Sequence, residues 1–139
     1  MLEASYGEWG MGSPSVYETL AMEELVALVD RLAAAPPVSS YGGGASGDHA
    51  WISVIDRGFV LHAYFGEDCR ADGAVGFELY GACPPGTERD HGDPYDGRGL
   101  AGSMTTACLK SVLSLLDNGH SPVDHVRGSA LRASVVVDD

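Results

Sequence analysis

Basic residues are scarce in this chain of 139 residues. Eight lysines and arginines face 20 aspartates and glutamates, the formal net charge is -12, and Lys110 is the sole lysine. Affinity for nucleic acid comes from Lys and Arg neutralising phosphates, so a field of this sign argues against nucleic acid and for a basic protein as partner. A surplus of acids also serves solubility, and a salt-loving source favours the same bias. Cysteines are few as well. Cys69, Cys83 and Cys108 are odd in number, widely spaced and without a Cys-x-x-Cys pair, the pattern of reduced thiols rather than of a disulfide framework. No run approaches the eighteen or so apolar residues of a membrane span, and residues 1–8 lack the basic and apolar regions of a signal peptide. The expected compartment is the cytoplasm, with no membrane contact.

What is present, 45% hydrophobic residues, suffices for one sheet and two or three helices around one core. Residues 1–13 are rich in glycine and serine and show no period, so they read as a loose arm before a single domain over 14–139. Ser13-Pro14 fits a helix cap with Pro at the first position, and residues 16–19 equally fit a short edge strand. From Ala21 the pattern is helical: Leu25, Leu28, Val29 and Leu32 share a stripe, Glu23 and Glu24 suit the N-terminus, and Pro36-Pro37 ends the run. Residues 39–48, with Gly42-Gly43-Gly44, form a link that lacks the Lys-Ser/Thr of a phosphate loop.

Residues 51–55 and 59–65 flank the Asp56-Arg57-Gly58 turn and predict a hairpin. Its second arm alternates Phe59, Leu61, Ala63 and Phe65 with Val60, His62 and Tyr64. A third strand over 74–80 puts Val75, Phe77 and Leu79 on one face. Ser103 or Thr105 caps a second helix running to about Asn118, whose stripe is Cys108 or Leu109, Val112, Leu113 and Leu116, and Gly119 followed by Pro122 stops it. Residues 123–126 and 133–137 read as short strands. The sum is an α+β domain, an antiparallel meander sheet of about four to five strands with two helices packed on one face.

Catalytic templates are poorly served. Cys83, close to His91, is the one local pairing for a thiolate nucleophile, and nothing flanking it resembles a nucleophile elbow. Among the histidines (His49, His62, His91, His120 and His125), the last two have Pro122 between them, which rules out a zinc site on one helical face. Asp90, Asp93 and Asp96 offer three oxygens within seven residues, but not at the positions that an EF-hand loop uses. Carboxylates are too common for any pair to be singled out, and no Gly-x-Ser-x-Gly is present. The expectation is a protein with no catalysis, no cofactor and no metal. The rival reading is a small-ligand or metal-dependent protein that uses the strand face of His62 and Tyr64 with the loop over 88–96.

That loop, residues 83–100 between strand and helix, carries Glu88, Asp90, Asp93 and Asp96 around Tyr95. Connections of this length are uncommon in compact domains unless used or disordered. The acids are the first choice for a basic partner, with Tyr95 as an aromatic anchor; Glu67, Asp68 and Asp72 on the preceding connection are the second. The order helix, Gly-rich link, hairpin, third strand, acidic loop and helix, followed by the run from Asn118 to Val126, resembles the immunity proteins of bacterial polymorphic toxin systems, in particular the family frequently paired with deaminase-type toxins. Gly119, Pro122 and Val126 match that family's closing helix, glycine, proline and short strand, and Arg127 stands where its members typically carry a tryptophan. The resemblance implies a small cytoplasmic protein that binds a cognate toxin and blocks a basic active site. A phage-encoded inhibitor of a host nuclease would have the same sequence character.

Overall fold

The computed structural model describes residues 1–8, 16–34, 48–66, 73–81 and 99–136. In chain order these form β1 (Leu2–Glu8), β2 (Glu18–Leu20), α1 (Met22–Ala34), β3 (Asp48–Asp56), β4 (Phe59–Gly66), β5 (Ala74–Tyr80), β6 (Gly99–Thr105), α2 (Thr106–Asp117), α3 (Val123–Ser129) and β7 (Arg132–Val136). The strands make one sheet in the order β2-β1-β3-β4-β5-β6-β7, with every neighbouring pair antiparallel. The α+β class and the meander of β3, β4 and β5 match the expectation, while among the described residues the sheet has seven strands rather than four to five and the helices number three rather than two.

Three of those differences have identifiable causes. Residues 2–8, expected to be part of a loose arm, form β1, hydrogen-bonded between β2 and β3 with Leu2 and Ala4 buried. The alternation Leu2-Glu3-Ala4-Ser5-Tyr6 has the strand period but little apolar bulk, and it gains its stability from pairing on both sides. β6 lies where only a helix cap was expected: it contains no Val or Ile, and pairing with β5 and β7 overrides its weak strand propensity. Residues 123–126, read as a strand, begin the helix α3, in which Val126 is buried. Two turns of helix with a single buried anchor carry too little periodicity to be recognised.

Alternation of side chains puts one face of the sheet into the core. Ile52 and Val54, Leu61 and Phe65, Phe77 and Leu79, and Leu100 and Met104 pack there against the α1 stripe Leu25, Leu28, Val29 and Leu32 and the α2 stripe Cys108, Leu109, Val112, Leu113 and Leu116. Both helical stripes are those that the sequence predicts, and both alternatives at 108 and 109 are buried. Lys110 of α2 reaches Asp30 of α1 at 2.6 Å, an exposed pair of small energetic weight. Arg31 lies 5.7 Å from the Tyr6 ring.

The ends of α2 are fixed by local chemistry. Thr105 is its cap, with Oγ1 accepting from the Cys108 amide at 3.0 Å. At the other end Gly119, at φ 81°, closes a Schellman turn: its amide donates to the Leu116 carbonyl at 3.1 Å, and that of His120 to Leu115 at 2.8 Å. Arg57 reaches the same end across the fold. It occupies the two-residue turn between β3 and β4, with φ 46° followed by Gly58 at φ 86°, the positive pair of a type I′ hairpin. From there its guanidinium donates to the Leu116 carbonyl at 2.9 Å and to Asp56 at 2.7 Å, a cation placed on the negative end of a helix.

Candidate functional site

The sheet topology sets where the two acidic connections leave the body. The connection with Glu67, Asp68 and Asp72 departs from the sheet end where α2 begins, since Ala74 pairs with Thr105. The one with Glu88, Asp90, Asp93, Tyr95 and Asp96 departs from the opposite end, beside the Arg57-Gly58 turn. Those ends are about 20 Å apart along strands of this length, so the two stems do not share one rim. All eight of these residues lie outside the described residues, as do Cys69, Cys83 and His91. Arg89 and Arg98 share the second stretch and offset part of its charge.

The face of the sheet turned away from α1 and α2 has a defined chemistry. Register aligns Ser5, Ser53, His62, Glu78, Ala101 and Ser134 in one row across six strands. Trp51, Tyr64 and Tyr80 occupy the flanking rows. The rings fold over glycines on adjacent strands: a Cβ on Gly7 would lie 3.1 Å from the Trp51 indole, and one on Gly99 3.0 Å from the Tyr80 ring. Aromatic cover of this kind protects strand glycines from solvent. Ser5 and Ser53 are buried on this face, at 3% and 6% exposure.

A polar chain runs through the centre of this face. Ser53 Oγ and His62 Nδ1 share a hydrogen bond of 2.7 Å. Tyr80 donates its hydroxyl to Glu78 Oε2 at 2.6 Å, and the His62 and Tyr80 rings meet edge to face at 6.0 Å. Burial lowers the His62 pKa, and the Glu78 carboxylate across the strand pair partly opposes this. A Ser-His-carboxylate nucleophile reading fails on geometry, because Ser53 is inaccessible and Glu78 makes no hydrogen bond to the imidazole among the described residues. His62 and Tyr64 were identifiable from strand alternation as residues off the core phase. Ser53, Glu78 and Tyr80 were not, because they come together only when three strands take their register.

The other candidates are scattered. Cys108 is buried in the core, which raises its thiol pKa. His120 is exposed after α2, and His125 lies on α3 with Nε2 buried and unpaired among the described residues. Among the described residues no three metal-ligating side chains converge, and no helix is long and apolar enough to cross a membrane. Comparison with protein-family models, curated proteins and solved structures finds no match.

One pH effect follows from His62. Its folded pKa is below the ordinary 6.5, so the unfolded chain binds the proton more readily. The contribution is complete above 6.5 and is lost as the pH falls through that value towards the lower folded pKa. Urea unfolding at about pH 7.5 and about pH 5.5 should show a larger loss of stability for the native protein than for His62→Asn, which keeps a partner for Ser53. Equal losses would separate the pH dependence from this imidazole.

Proposed function

We propose that the chain is an immunity-type protein that acts in the cytoplasm, binds a cognate toxin and blocks its basic active site without performing a reaction itself. The toxin class that fits is one acting on nucleic acid, a deaminase or a nuclease, because such enzymes carry positive grooves for phosphate. The observation that supports the reading is the net charge of -12 together with its distribution. Glu3, Glu18, Glu23, Glu24, Asp30 and Asp124 are exposed on β1, β2, α1 and α3, so the field extends well beyond the two acidic connections. Arg57 and Lys110 are held by Asp56 and Asp30. A field of this sign steers a basic groove into contact, and the acids then stand in for the substrate's phosphates.

The test is co-expression with the product of the directly upstream gene. A stable one-to-one complex that abolishes that product's activity on nucleic acid is the expected result, and a product active at saturating amounts of this chain would overturn the reading. A host nuclease as the captured enzyme would favour the phage-inhibitor variant of the same mechanism. The small-ligand reading is favoured by a separate observation, the depression beside Tyr64 and Glu78.

A further inference from the structure

On the face opposite the helices, over β5, β6 and β7, lies a depression of about 350 Å³ bordered by Tyr64, Gly76, Glu78, Ala101, Arg132 and Ser134. It exists because the sequence puts little bulk there: Gly76 and Ala101 hold the positions between the larger side chains, and the backbone of Gly102 forms part of the floor. Ser134 turns its hydroxyl to the Ala101 carbonyl at 3.4 Å. The Tyr64 ring supplies one wall.

Two opposite charges border this hollow without neutralising each other. Glu78 is half-buried and uses Oε2 to accept from Tyr80, which leaves Oε1 without a partner among the described residues. Arg132 is exposed at the start of the edge strand, and its guanidinium has no hydrogen bond or ion pair among the described residues. Glu78 shares a row with Ala101 and Ser134, whereas Arg132 shares the next row with Ser103 and Gly76. Strand spacing and rise place their Cα atoms about 12 Å apart, with the hollow between. A carboxylate and a guanidinium so arranged complement a molecule that carries both an ammonium and a carboxylate.

The geometry points to a binding site for a small zwitterion of amino-acid or dipeptide size, its ammonium on Glu78, its carboxylate on Arg132 and its body against Tyr64. The volume is at the lower end of ligand pockets, about 300 Å³ upward, which suits a dipeptide. Net charge selects in the same direction: a protein this acidic repels anions, whereas a zwitterion carries no net charge to be repelled. The site does not depend on the toxin-blocking reading, and either stands if the other falls.

Titration of the isotope-labelled full chain with alanyl-alanine, followed by amide NMR, tests it. Saturable shifts centred on Gly76, Ala101, Gly102 and Ser134 are expected, with a Kd of about 1 mM or tighter. Glu78→Gln, which keeps the side-chain shape, and Arg132→Gln, which removes an exposed guanidinium, should each weaken binding about tenfold or more while leaving the rest of the spectrum in place. Ethylamine and acetate, each with one of the two charges, should bind more weakly than the dipeptide. No saturation by about 10 mM, equal binding of the singly charged probes, or unchanged affinity in both variants would overturn the proposal.

Discussion

Replacing Gly81 by alanine is expected to lower the unfolding free energy by about 2–5 kcal/mol. Two effects add at this position. The backbone is left-handed, with φ 81°, a region that costs a residue with a Cβ about 1–2 kcal/mol. A Cβ built there would also lie 2.2 Å from the Gly58 carbonyl oxygen. That oxygen cannot withdraw cheaply, because Gly58 belongs to the tight turn whose Arg57 is bonded to the end of α2. Gly73 is the natural control. It too is left-handed, at φ 69°, but among the described residues nothing lies within 4 Å of its Cβ position, so Gly73→Ala should cost about 1–2 kcal/mol. Urea unfolding of the two variants separates backbone conformation from contact, and equal losses would show that the approach of Gly81 to the β3–β4 turn is unimportant.

Reversing Asp90, Asp93 and Asp96 to lysine is expected to weaken the complex with the upstream gene product by about 100-fold or more at low salt. The three changes halve the net charge of -12 and set like charges against a basic groove, an arrangement that costs several kcal/mol in a contact. Thermal unfolding of the variant checks its fold, and a midpoint close to that of the native chain is expected. The control is reversal of the same number of acids elsewhere: Glu18, Glu23 and Glu24 are exposed on β2 and α1. That variant alters the long-range field equally and should slow association only modestly. Equal loss in the two variants would make binding a matter of net charge and remove the loop from the interface.

The fold was legible where a segment carries its own signal. The α1 and α2 stripes, the hairpin around Arg57-Gly58, the β5 alternation and the terminal strand all show in composition and period. β1 and β6 did not, because Leu2-Ala4 and Leu100-Gly102-Met104 have too little bulk to mark a strand, and their neighbours in the sheet decide their state. α3 was misread because Val123 and Val126, the partly and fully buried valines of two helical turns, look alike in a strand or a helix. The acidic connections were visible as charge, whereas their departure from opposite ends of the sheet is a property of topology. The row of Ser53, His62 and Glu78 was hidden for a related reason. Alternation gives the phase of each strand, and only register brings the three strands into line.

Electrostatic capture of a basic partner is read most directly in its kinetics. The most direct measurement is the association rate with the upstream gene product, by stopped flow, at about 20 mM and about 300 mM salt. Capture through the acidic surface predicts a fall of about tenfold or more across that range with little change in the dissociation rate. An association rate independent of salt would contradict it.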